Sequence, residues 1–253
     1  MAGVALITGA AHRIGKAIAL HLGQQGYRVA IHCNNSLAQA GEVAASIEQA
    51  GGTAAVFPAN LRHEDETRAL IKDVQNHFGA PVDVLVNNAS VFEQDTALSA
   101  TSQSFKQHIG TNLMAPLQLA QEMATHLPEG MSGNIINLID QRVLRLSPAF
   151  FTYTLSKAAL WTMTQTLAME LAPRIRVNGI GPGPTLQSKH QSGNDFSAEA
   201  QNVPLGRGPE LDEIAKAVSF IINTPSLTGQ MLALDGGQHL AWQTPDYLVG
   251  GHE

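Results

Sequence analysis

Seven short apolar runs recur along this chain, each separated from the next by a segment long enough to hold a helix. They read "VALIT" (4–8), "YRVAIHC" (27–33), "TAAVFPA" (53–59), "VDVLVNN" (82–88), "NIINLI" (134–139), "IRVNGI" (175–180) and "MLALD" (231–235). Runs rich in Val, Ile and Leu, joined by crossovers of that length, imply parallel strands buried on both faces. The expected fold class is α/β, a doubly wound parallel sheet, with residues 1–253 forming one domain. A chain of 253 residues with 44% hydrophobic content can bury one large core. In such sheets ligands bind outside the carboxyl ends of the strands.

Charge and composition narrow the partners. A formal charge of -6, with 15 Lys and Arg and no basic run, argues for a small soluble ligand over nucleic acid or an anionic membrane. The single cysteine, Cys33, excludes an internal disulfide, and the histidines show no metal-ligand spacing. No stretch reads as a signal peptide or a membrane span, so a cytoplasmic location is expected. Residues 181–208 lack periodicity and cluster Pro, Gly, Ser and Asn just past a strand end, which predicts a substrate-binding lid.

The first strand leads into "TGAAHRIGKAIALHL". Gly9 permits a tight turn, Gly15 lets the helix pack close to the strand, and the helix amino terminus would direct N–H groups at a phosphate, as a Rossmann-type dinucleotide site requires. Arg13, followed by Ile14, departs from an all-glycine loop; its guanidinium could reach a cofactor phosphate or a substrate acceptor, or could be a solvated surface group. The second strand ends in "HCNNS" with no carboxylate before Glu42. An acid there would hold a ribose 2'-hydroxyl, whereas Asn34, Asn35 and Ser36 can donate to a 2'-phosphate, so NADPH is expected over NADH.

Tyr153 and Lys157, four residues apart, share one helical face, so the ammonium would sit near the phenol and depress its pKa. Asp140 lies thirteen residues upstream, at the end of the fifth run. The plain alternatives for it are capping a strand end or pairing with Arg142 or Arg145.

With "NNAS" (87–90), Asn112 in "TNLMAP", and "RVNGIGPGP" followed by "PLGRGPELDEIAKAVSFI", the chain resembles the short-chain dehydrogenase/reductase family from residue 6 to 237. The resemblance maps the family's catalytic Asn, Tyr and Lys onto Asn112, Tyr153 and Lys157, and places Asp140 where the family has serine. "TGAAxR", "NNASxF" and the aspartate look like the pteridine reductase branch, which includes eukaryotic pteridine reductases and bacterial dihydromonapterin reductases. That likeness implies NADPH-dependent reduction of a pterin, with Phe92 stacked on the pterin ring and Arg13 and Ser90 binding cofactor phosphate and pterin heteroatoms. It also implies that Lys157 holds the nicotinamide ribose, that Asn60 and Leu61 contact adenine, and that Asn88, Ala89, Pro182, Gly183 and Thr185 line the cofactor site. Asn112 would open a helix kink, the alternative being an exposed helix residue.

An imine-type C=N needs a proton on nitrogen as hydride reaches carbon, so Asp140 would join Tyr153 in a relay. Two other classes remain: a carbonyl reductase of 3-oxoacyl or other keto substrates, and a non-catalytic NADPH-binding regulator. Trp161, Met163 and Met169 are expected in the core or at a subunit contact, and the apolar tail from 240 to 253 on a neighbouring subunit of a homotetramer.

Overall fold

The computed structural model describes residues 3–187 and 193–241. All seven runs form strands: β1 (Val4–Ile7), β2 (Arg28–Cys33), β3 (Thr53–Pro58), β4 (Val82–Asn87), β5 (Gly133–Leu138), β6 (Ile175–Pro182) and β7 (Met231–Leu234). They make one parallel sheet in the order β3-β2-β1-β4-β5-β6-β7. The order reverses between β1 and β4, which opens a crevice at their carboxyl ends.

Side-chain alternation divides the core into two layers. Ala5 and Ile7 of β1 face α1 (Arg13–Gln24), α2 (Leu37–Gln49) and α8 (Leu211–Ile222), whose buried residues include Ile18, Leu22, Val43, Ile214 and Val218. Val4 and Leu6 face the opposite way, toward α3 (Glu64–Phe78) and α5 (Ala115–His126) through Leu70, Ile71, Leu119 and Met123. Each such fully buried aliphatic side chain contributes about 1.5–3 kcal/mol. Both faces of β1 are therefore dry, which is why its pattern is continuous rather than alternating.

α4 (Ser102–Ile109) runs into α5 through a widened π turn, Gly110–Met114. α6 (Phe151–Leu171) is the longest helix described, with no glycine or proline in its interior. A buried polar chain ties it to the sheet: Asn87 Nδ2 donates to Asn137 Oδ1 at 2.9 Å, and Asn137 Nδ2 donates to Thr164 Oγ1 at 2.9 Å. Among the described residues no helix is long and apolar enough to cross a membrane.

One expectation changes and another is narrowed. The segment 181–208 is not a structureless loop: β6 runs on to Pro182, and "GNDFSAEAQ" forms α7 (Gly193–Gln201). Its short run of helix-forming residues was hidden among the surrounding Pro, Gly and Ser. Of the core and subunit-contact alternatives for Trp161, Met163 and Met169, the single chain excludes the core: Met169 is 78% exposed, because the buried stripe of α6 passes through Leu160, Thr164 and Ala168 instead. Most of the apolar tail, from residue 242, lies outside the described residues.

Candidate active site

The loop from β1 to α1 is shaped by contacts that only glycine tolerates. Gly9 has φ +63°, and a Cβ there would lie 3.0 Å from Ala89 Cα. A Cβ on Gly15 would lie 2.4 Å from Gly9 O and 2.5 Å from Asn88 Nδ2. Asn88 fills that space, donating from Nδ2 to Thr8 O at 2.8 Å and Gly9 O at 3.1 Å, while Thr8 Oγ1 accepts from the amides of Asn88 and Ala89. The ends of β1 and β4 are thereby locked together.

His32 supports the same loop from below. Gly9 N–H donates to its Nδ1 at 3.0 Å, so the ring proton sits on Nε2 and is given to Ala59 O at 3.0 Å. Burial lowers its pKa against the opposing pull of that carbonyl, which keeps the ring neutral. No side chain caps the amino terminus of α1. Its opening amides and the glycine cradle fit the pyrophosphate of a dinucleotide.

Above the loop lies a cavity of about 850 Å³. Of the sequence-predicted residues, Gly9, Arg13, Ile14, Gly15, Asn34, Asn60, Leu61, Asn88, Ala89, Ser90, Phe92, Asp140, Tyr153, Lys157, Pro182, Gly183 and Thr185 line it. Asn35 and Ser36 lie beyond the lining, where Ser36 precedes α2. Arg13, at φ 52°, donates from both terminal nitrogens to the carbonyls of Leu186 (3.1 Å) and Gln187 (2.8 Å). Although exposed, it ties the glycine loop to the segment that follows β6.

Asn112 is fully buried, which rules out the exposed-helix alternative. It sits in the π turn, a distortion that often marks functional sites. Its Oδ1 accepts from Val91 N at 2.8 Å and Ser90 Oγ at 3.2 Å, and its Nδ2 donates to Val91 O and Ser156 Oγ, each at 3.0 Å. Asn112 therefore stands behind the cavity wall, fastening the Ser90 loop to α6.

At the floor, Tyr153 Oη donates to Asp140 Oδ2 at 2.8 Å. Asp140 also accepts from Arg142 N at 2.8 Å and from Arg142 Nη1 at 3.2 Å. The capping and pairing alternatives are thus real, and they coexist with the tyrosine contact on one carboxylate. Lys157 lies one turn below Tyr153, donates to Leu138 O at 2.7 Å, and has Nζ 5.7 Å from the Tyr153 ring centroid.

This arrangement corrects one expectation. Burial and the adjoining Asp140 raise the Tyr153 pKa well above its ordinary value, whereas Lys157 was expected to depress it. Burial of the phenol is the larger cause, and the carboxylate in hydrogen-bond contact with it acts in the same direction, with only Arg142 opposing. Burial also pushes Lys157 down to about 8, with Asp140 opposing.

Several lining residues escaped the sequence reading. Phe150 stacks on Phe92 with ring centroids 4.3 Å apart and planes 8° apart, and Phe92 meets the Tyr153 ring edge-on at 4.7 Å. The Arg142 guanidinium lies 5.5 Å and 5.2 Å from the Phe92 and Phe150 centroids. Phe196 and Glu199 of α7, Gln238 and Arg62 complete the rim. In sequence Arg142 reads only as a partner of Asp140, and a positive φ at Phe150 leaves no trace in composition.

Comparison with known proteins agrees with this geometry. The profile of the family described as short chain dehydrogenase matches residues 3–196. A 3-oxoacyl-[acyl-carrier-protein] reductase, FabG, of Staphylococcus epidermidis is 33% identical over 241 residues, covering 93% of this chain and 98% of its own. The uncharacterized oxidoreductase YgfF of Escherichia coli is 33% identical over 246 residues, covering 93% and 99%. Among solved structures, FolM alternative dihydrofolate reductase 1 of Brucella suis, in complex with NADP, superposes with a TM-score of 0.93 at 48% identity, covering 96% of this chain and 97% of its own. The Brucella canis FolM complexed with NADP gives a TM-score of 0.92, also at 48% identity, with 96% of each chain covered.

Proposed function

The chain belongs to the short-chain dehydrogenase family, and we propose that within it the protein uses NADPH to reduce a pterin, carrying a dihydropterin, and by the same chemistry dihydrofolate, to the tetrahydro state. The observation that carries this reading is the 2.8 Å bond from Tyr153 to Asp140 beside the Phe92–Phe150 wall. Flat heteroaromatic rings are held by an aromatic face and a few polar groups, and the wall, Ser90 and Asp140 supply both. The two FolM alternative dihydrofolate reductases, each solved with NADP bound, support the same substrate class and cofactor.

The glycine cradle and the start of α1 would hold the pyrophosphate, Arg13 and Asn34 its charged neighbourhood, Asn60 and Leu61 the adenine, and Lys157 the nicotinamide ribose. When bound, the cofactor supplies a hydride. The residues of this chain then have one proton to deliver. A ketone needs a donor toward oxygen, which a lone phenol provides. A ring nitrogen in a C=N bond needs a proton of its own, and Tyr153 bonded to an acid is a poor direct donor, as its raised pKa indicates. In the proposed relay Tyr153 Oη passes its proton to the Asp140 carboxylate along the bond already present and Asp140 passes a proton on to the ring nitrogen, so that the carboxylate is restored and a phenolate remains. Arg142 steadies the carboxylate left behind, and the phenolate lies near the Lys157 ammonium.

A second reading, reduction of a 3-oxoacyl thioester, draws support from the FabG relatives. Initial rates with dihydrobiopterin, dihydromonapterin, dihydrofolate and an acetoacetyl thioester, each with NADPH and NADH, separate the two. Turnover of the pterins with NADPH preferred is the expected result; turnover of the thioester alone would replace the pterin reading. A homotetramer is proposed alongside, tested by light scattering.

A further inference from the structure

The helix that carries Tyr153 and Lys157 has no capping side chain of its own: its N-cap is Phe150, at φ 56° and ψ 49°, without a side-chain hydrogen bond. Helix-opening amides need acceptors, and here they find them on one distant residue. Phe151 N–H donates to Asp95 O at 3.2 Å and Thr152 N–H donates to Asp95 Oδ1 at 3.0 Å. The Thr152 hydroxyl donates to Oδ2, and so does Ser104 Oγ of α4, at 3.1 Å. Asp95 is 7% exposed. Burial works to raise its pKa, but the hydrogen bonds from Thr152 and Ser104 outweigh it and hold the carboxyl below its ordinary value. An anion at this position also complements the dipole of α6.

His108, fully buried, completes the node. Its Nε2 accepts from Glu93 N–H at 3.2 Å, so Nδ1 carries the proton and shares it between Ser104 O at 3.0 Å and Thr152 Oγ1 at 2.8 Å. The loop from β4, α4 and α6 thus meet at one buried polar cluster. That loop also bears Phe92, which is stacked on Phe150 and lies edge-on to Tyr153. Phe150 holds a left-handed conformation that a bulky L-residue adopts only when its surroundings impose it.

We infer that Asp95 is a positioning residue: it caps α6 from outside the helix and so fixes the Tyr153 hydroxyl on Asp140 and the Phe92–Phe150 wall across the cavity. The inference rests on the reading of Tyr153 and Asp140 as the proton-delivery pair. Asp95 itself does not line the cavity.

The test compares Asp95→Ala, Asp95→Asn and Thr152→Val by steady-state kinetics, by NADP+ titration, and by the 19F resonance of 3-fluorotyrosine placed at position 153 alone. Asp95→Ala is expected to lower kcat by about 100-fold, the order lost when a reacting group shifts by about 1 Å, with KM for NADPH changed by less than about 3-fold. Its 19F line should shift or broaden. Asp95→Asn keeps an acceptor for Thr152 N–H and should restore kcat to within roughly 10-fold of the parent. A lowered melting temperature with kcat and the 19F line unchanged would reduce Asp95 to a structural role and overturn the inference. Should Asp95→Ala fail to fold, Asp95→Asn and Thr152→Val carry the same decision through the same readouts. If the parent protein reduces the thioester and no pterin, the pterin reading falls while the Asp95 comparison is read on the thioester; the 19F line needs no turnover at all.

Discussion

Tyr153 and Asp140 share one proton over 2.8 Å, and the same Asp140 oxygen also receives Arg142 Nη1 at 3.2 Å. A carboxylate thus stands in direct contact with the phenol, while the Lys157 ammonium is spent on Leu138 O. In the proposed reaction, proton delivery belongs to the pair rather than to the tyrosine alone.

Replacing Asp140 with Ser should therefore change what is reduced. Dihydropterin turnover is expected to fall by about 100-fold or more, the usual contribution of a positioned acid. Removing the carboxylate also removes a cause of the raised Tyr153 pKa, so that phenol should ionise at lower pH. Kinetics on a dihydropterin and an ultraviolet titration of tyrosine check the two halves; unchanged pterin turnover would take Asp140 out of the chemistry.

The aromatic wall makes a separate prediction. Phe92→Ala removes the stacking partner of Phe150, and KM for the pterin should rise by roughly 10-fold, consistent with about 0.5–1.5 kcal/mol of stacking added to lost apolar contact. NADP+ affinity should stay close to that of the parent protein. Isothermal titration with each ligand measures both, and an equal loss for cofactor and pterin would mean that the loop as a whole had collapsed.

Gly15→Ala tests the cradle. The added methyl would lie 2.4 Å from Gly9 O and 2.5 Å from Asn88 Nδ2, so backbone or the Asn88 clamp must move. Overpacking of this kind costs about 1–3 kcal/mol. A lower melting temperature together with weaker NADP+ binding is expected, and wild-type affinity in a destabilised protein would separate the fold from the cofactor site.

The buried histidines set an acid limit. Burial lowers the pKa of both His32 and His108 in the folded protein, while in the unfolded chain they return to about 6.5. Between those values the unfolded state binds more protons, so their contribution to stability is complete above about pH 6.5 and is lost as pH falls through the folded values. Urea midpoints from pH 8 to pH 5 should decline accordingly. His32→Gln should start lower at pH 8 and fall less steeply, whereas identical slopes would show that His32 stays outside the linkage.

What could be read directly was local. Seven apolar runs became seven strands because a strand buried on both faces needs no information beyond its own residues. Gly9 and Gly15 were legible because their role follows from what a Cβ would strike one turn away. Tyr153 and Lys157 were legible because a helix converts a spacing of four into adjacency. The short helix α7 was missed where a weak local signal sat among turn-forming residues.

The remainder of the site depends on residues brought together from far apart. Nothing in the spacing of Asp95 and Thr152, 57 residues apart, announces a helix cap. Nor does the sequence reveal that Phe150 adopts a left-handed backbone, that the Arg13 fork reaches the carbonyls of Leu186 and Gln187, or that Asn112 turns inward from a π turn. The sign of the Tyr153 shift belongs to the same class. Sequence spacing placed an ammonium one turn away, and only the packed structure buried the phenol and brought a carboxylate into contact with it, both of which favour the neutral form. The sequence by itself determined the sheet, the glycine cradle and the one-turn spacing of Tyr153 and Lys157, since each follows from local geometry. Tertiary structure decided which charge faces the phenol and what holds its helix in place, because those depend on distances between segments that the chain order does not encode.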